Sequence, residues 1–147
     1  MGGGLQSFIS KPQGRRKDNR SLTDEWEANH PNGAFVTDRR QMLNVSSDVE
    51  HVLGFFSKSH MHFNADRDRE IEPSLAEMTE MAIKVLKRKN KRGFLLVVEA
   101  GKIDLAHHYN NAFRALDDTL ALDEAIRVAI GNIGKKNLSF SVYFLSK

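Results

Sequence analysis

Three residues in one short stretch have the types and spacing for metal chemistry. Glu99 follows five consecutive apolar residues, Phe94-Leu95-Leu96-Val97-Val98, and Asp104 and His108 stand four apart just beyond it. On a helical turn, residues i and i+4 share a face, so a carboxylate oxygen and an imidazole nitrogen come within reach of one cation. Mixed oxygen and nitrogen ligation suits zinc or another first-row divalent ion, whereas a carboxylate alone suits a harder ion such as magnesium. A catalytic zinc takes three protein ligands, so Asp104 and His108 do not complete a site by themselves. The same spacing serves a plain surface hydrogen bond, and Glu99 has Lys102 nearby as an alternative partner. His60 and His62 alternate in a polar loop without convincing ligand spacing. There is no Gly-x-Ser-x-Gly and no Walker loop, and Gly2-Gly3-Gly4, with no preceding strand in these residues, is a weak phosphate-loop candidate.

The elements that must hold these residues read as α/β. The unbroken run Phe94–Val98 has the character of a strand buried on both faces, and ligands of open α/β sheets bind beyond the carboxyl ends of such strands. Before it, Ser74-x-x-Glu77 is a capping box that opens a helix over Ser74–Lys89, with Leu75, Met78, Ala82, Val85 and Leu86 as its apolar stripe. After it, a long helix is expected over Tyr109–Ile130, with Phe113, Leu116, Leu120, Ile126 and Ile130 on one side and Gly131 and Gly134 at its end. A last strand is expected over Leu138–Leu145. The first half, about residues 1–70, is loop-rich. A short helix is expected over Ser21–Asn29, strands at Ala34–Val36 and Val52–Phe56, and a helical turn at Asp38–Leu43. About 71–147 is the regular helix-strand-helix-strand part.

Composition narrows the classes. The 147 residues are 40% hydrophobic and 28% charged, which suits a folded domain with a real core. No run approaches the roughly 20 apolar residues of a membrane span. With no cysteine there is no disulfide scaffold, thiolate metal site or thiol nucleophile. The start, MGGGLQSF, shows no signal-peptide pattern. The net charge is +3, and the basic residues gather at 11–20 and 84–92. The first stretch lacks interleaved aromatics and the second ends a helix, where cations complement the dipole, so both read as solvated charge rather than a nucleic-acid surface.

At GFLLVVEAGKIDLAHH the chain resembles the alkaline phosphatase family, whose segment runs Gly-Phe-Phe, three apolar residues, then Glu-Gly-Gly-Arg-Ile-Asp-x-x-His-His. Further stretches resemble the family in order: MGGGLQSF, RRKDNRSLTDEW, VLGFFSKSHMHF and EPSLAEMTEMAIKVL. Lys102 stands for the usual Arg, Ala100 for a Gly and Leu105 for a His; Leu105 and FFSKSHM are similar to insect-type members. The resemblance implies a partial piece of a large α/β fold with a central mixed sheet. It implies a metal-dependent phosphomonoesterase that works through a phosphoserine, with two Zn2+ and one Mg2+, as a homodimer. By matched position, Glu99 would hold Mg2+, and Asp104 and His108 would be two ligands of the zinc that binds substrate phosphate. Ser57 after Phe56, with Glu72 in place of an Asp, implies that a calcium site found in vertebrate members is absent.

Other family features do not occur in these residues: the Asp-Ser-Ala nucleophile motif, the phosphate-clamping Arg, the Thr-Ala-Asp-His-Ser-His motif and the late zinc histidine. The chain is therefore expected to be a piece of a longer protein, inactive alone. The alternative is a non-enzymatic truncated product that binds metal or a partner weakly. The family also implies an extracellular, lipid-anchored or secreted glycoprotein, with the anchor outside these residues. Asn19, Asn44 and Asn137 begin Asn-x-Ser sequons.

Overall fold

The computed structural model describes residues 1–88 and 92–134, in two units: 1–62 with 67–73, and 63–66 with the residues from 74 onward. The strand expected over Leu138–Leu145 lies outside the described residues.

In the first unit, local capping sets the helices. Helix α1 (Leu22–Asn29) opens at Ser21, whose hydroxyl accepts the Asp24 N–H at 3.4 Å, and Asp24 and Glu25 occupy its positive first turn. It stops at His30, whose Nδ1 donates to the Trp26 carbonyl at 2.8 Å. Strand β1 (Gly33–Val36) follows. Helix α2 (Arg39–Leu43) is capped by Asp38, which accepts the Gln41 N–H at 2.8 Å, and strand β2 (His51–Gly54) comes next. The strands are parallel, with Gly33 opposite His51 and Val36 opposite Gly54. Parallel neighbours need a crossover, which α2 supplies. Val36, Met42, Phe55 and Phe56 are buried around this β-α-β unit.

The glycine run at the start packs backbone against backbone. Gly2 N–H donates to the Gly54 carbonyl at 3.0 Å, and Gly4 N–H donates to the carbonyls of Ser57 and Ser59 at 3.1 and 2.6 Å. A Cβ on Gly3 would lie 2.2 Å from the Ser59 carbonyl oxygen, so no larger residue fits that approach.

The second unit is helical. Helix α3 (Leu75–Lys87) begins with the expected capping box: the Ser74 hydroxyl accepts the Glu77 N–H at 3.1 Å, and the Glu77 carboxylate accepts the Ser74 N–H at 2.8 Å. Its fully buried face is set by Ala76, Thr79 and Ile83, while the Leu75-to-Leu86 stripe is only half-buried. The long helix expected over Tyr109–Ile130 is α5 (Ala112–Ile133), and the stretch before it, expected as a loop, forms a further short helix, α4 (Lys102–His108). Asn110 breaks them apart at φ 51°, and Asn111 caps α5 by accepting the Arg114 N–H at 3.0 Å. Asparagine tolerates the left-handed region and caps well, so Asn-Asn is both stop and start.

Two expectations change here. The buried face of α5 is Ala115, Asp118, Ala121 and Ala125, and the large Phe113, Leu116 and Leu120 are exposed. Small side chains let α5 approach α3 and α4 closely, so this face, not the bulky one, is the packed one. The run Phe94–Val98 forms no strand, and Leu95 and Val97 are 85% and 81% exposed. A strand needs a ladder partner for its backbone groups, and among the described residues the only ladder runs between β1 and β2.

Candidate metal centre

Asp104 and His108 lie on α4, a helix of one face only as far as burial goes. Ala106 is fully buried, whereas Asp104, His107 and His108 face solvent. The helical spacing brings Asp104 Oδ2 and His108 Nε2 to 3.3 Å. That distance is informative for metal chemistry. Tetrahedral zinc with ligand bonds of about 2.0–2.1 Å has ligand atoms separated by roughly 3.3–3.4 Å. The pair thus has the donor types and the separation of two corners of a zinc tetrahedron. It is also a simple ion pair when His108 is protonated, which is the alternative that spacing alone leaves open.

Glu99 sits at the exposed end of the apolar run, three residues before the first residue of α4. Its carboxylate bends over Gly101, so that a Cβ there would lie 3.2 Å from Glu99 Oε1. Lys102, the alternative partner for Glu99, extends over the ring of Phe63, with Nζ 3.7 Å from the centroid. Among the described residues no three His, Asp or Glu side chains come together as a metal-binding group. Glu99 therefore does not join Asp104 and His108 in one cluster; the structure brings together the pair and leaves Glu99 separate.

Several residues beside this stretch were not legible as a group. Phe63, Ala106 and Ala115 form a buried cluster with Leu105 against it. Asp118 Oδ2 accepts the Asn64 N–H at 3.3 Å, Asp117 accepts the Asn64 amide at 2.8 Å, and Arg114 pairs with Asp66 at 2.7 Å. Burial pushes the Asp118 carboxyl above its ordinary range, with the Asn64 N–H opposing. In the first unit, His62 is taken by Glu72: its Nδ1 donates to one carboxylate oxygen at 2.7 Å and its N–H to the other at 3.1 Å. Glu72 is itself buried, so this loop histidine satisfies a carboxylate.

The described elements make an α/β piece, with a two-stranded parallel sheet in the first unit and the helix of the candidate pair in the second, and it has counterparts among known proteins. The sequence profile of the alkaline phosphatase family matches residues 1–142. Membrane-bound alkaline phosphatase of Bombyx mori is 41% identical over 141 residues, which cover 88% of this chain and 26% of that protein. Alkaline phosphatase 4 of Drosophila melanogaster is 42% identical over 123 residues, 80% of this chain and 20% of that one. The crystal structure of Thermus thermophilus alkaline phosphatase superposes with a TM-score of 0.76 at 32% identity, covering 90% of this chain and 27% of that chain. A variant of the alkaline phosphatase from the Antarctic bacterium TAB5, 24% identical with a TM-score of 0.69, was solved with Mg bound in its M3 site. The chain belongs to the alkaline phosphatase family. It spans about a quarter of the length of the relatives it matches.

Proposed function

We propose that this chain supplies part of the metal centre of a phosphomonoesterase. The observation that carries the reading is the Asp104–His108 pair, 3.3 Å apart on the solvent face of α4, in a chain of this family. In this reading Asp104 and His108 are two ligands of a Zn2+ ion and Glu99 holds Mg2+. Bound zinc would act as a Lewis acid on a phosphoryl oxygen and bring the pKa of bound water near neutrality. The residues of this chain have two tasks toward it. Asp104 and His108 present an oxygen and a nitrogen at tetrahedral spacing, and α4 keeps both turned to solvent, where a phosphate monoester can approach.

The remaining zinc ligands and the serine that carries the phosphoserine belong to other parts of the complete protein, which we propose acts as a homodimer. We place that protein on the outer face of the plasma membrane or secreted, held by a lipid anchor outside these residues. The relative from Bombyx mori is described as membrane-bound, which supports that placement.

The chain alone is expected to give no zinc-dependent hydrolysis of p-nitrophenyl phosphate. Zinc added to the purified chain is expected to shift the His108 imidazole signals in NMR, and Asp104→Asn to weaken that binding. Turnover by the chain alone would overturn its inactivity. Unchanged His108 signals on adding zinc would overturn the metal reading.

A further inference from the structure

The aromatic ring of Phe63 occupies a place that bears on the direction in which Asp104 and His108 project. Phe63 is 8% exposed and begins a short strap, residues 63–66, that is tied to α5. The ties are the Asn64 bonds to Asp117 and Asp118 and the Asp66–Arg114 ion pair. The ring in turn holds α4. Lys102 Nζ lies 3.7 Å from its centroid, Ala106 packs in its cluster, and the Tyr109 ring meets it edge-on at 6.3 Å. Residues 102, 106 and 109 recur at i, i+4 and i+7, one stripe of the helix. Asp104 and His108 are each two residues beyond a member of that stripe, about 200° round the axis. The face gripped by Phe63 and the face carrying the ligand pair are therefore opposite sides of one short helix.

Seven residues are too few to hold a helix by themselves, and α4 has no side-chain N-cap, so packing decides how it is rotated. Arg114 of α5 also approaches the same ring, its Cζ 5.0 Å from the centroid. An aromatic face attracts cations through its quadrupole, which an aliphatic side chain of similar size does not.

We propose that Phe63 is a positioning residue for the zinc-ligand pair: its ring sets the rotation of α4 and so the direction in which Asp104 and His108 point. This rests on the reading of that pair as zinc ligands. The test is zinc titration of the 147-residue chain, followed by the His108 imidazole signals in NMR, with helix content from circular dichroism beside it. Phe63→Leu is expected to weaken zinc binding by about tenfold or more, the scale at which residues supporting metal ligands act, while helix content is retained. Phe63→Tyr, which keeps the ring, is expected to restore the affinity of the parent chain. If Phe63→Leu does not fold, Phe63→Met takes its place with the same expectation.

The outcomes separate the two ideas. If Asp104→Asn weakens binding but a folded Phe63→Leu or Phe63→Met binds as the parent does, the positioning role is overturned and the metal reading stands. The role is also overturned if Phe63→Tyr binds as poorly as Phe63→Leu. If zinc leaves His108 untouched in the parent chain, the metal reading falls and the positioning role with it.

Discussion

Strand β1 and the run Phe94–Val98 differ in a way opposite to their composition. The run is five large apolar residues without interruption, while β1 is Gly-Ala-Phe-Val, yet β1 is the strand and the run is not. β1 has β2 beside it, with Phe55 continuing the ladder by donating to the Val36 carbonyl at 3.0 Å. The run has no such neighbour among the described residues. Apolar character proposes a buried strand, but only paired backbone groups make one.

That contrast can be broken by substitution. Val36→Asp puts a carboxylate into a buried ladder position of β1 and is expected to destabilise the first unit by about 3 kcal/mol or more. Trp26, the sole tryptophan, belongs to that unit and reports its unfolding by fluorescence. Ser74→Ala removes one half of a partnership between sequence neighbours. The expected loss is about 1 kcal/mol from α3, read as a fall in the denaturant midpoint.

Asp118 tests a partnership made at a distance, across 54 residues to Asn64. Its carboxyl titrates above the ordinary value of 3.8 because burial disfavours the charged form. The sign follows from linkage. The favourable contribution is complete below that ordinary value and is lost as pH rises through the raised one. Asp118→Asn keeps an acceptor for the Asn64 N–H, so at neutral pH it is expected to stabilise the second unit. Thermal melts at pH 7 and pH 3 check this, since the gain should vanish at the lower pH. Val97→Asp is the smallest effect: at an 81% exposed position it should change stability by less than about 0.5 kcal/mol. A loss as large as that of Val36→Asp would show that the run is buried after all.

What the sequence discloses follows the same division between near and far partners. Ser21 and the Ser74–Glu77 box start helices by bonding within three residues, so their positions are readable from residue types. The Asp104–His108 pair is readable for the same reason, because one helical turn is a local geometry. The strap that ties Asn64 to Asp117 and Asp118 is not readable, since no periodicity links residues more than fifty positions apart. The packed face of α5 is not legible from bulk, because close helix packing selects alanine over the large Phe113, Leu116 and Leu120. α5 starts three residues beyond the expected Tyr109 because Asn110 and Asn111, both ordinary breakers, separate it from α4.

That stop decides whether Asp104 and His108, the proposed zinc ligands, face solvent. At about 100° per residue, an unbroken helix through α4 and α5 would bring Asp104 and His108 within roughly 20° of the azimuth of Ala115. Ala115 is buried, so both side chains would then have been turned into the packed interior. The left-handed residue Asn110 resets the helical phase, and a stripe that arithmetic assigns to the core becomes an open pair of donors.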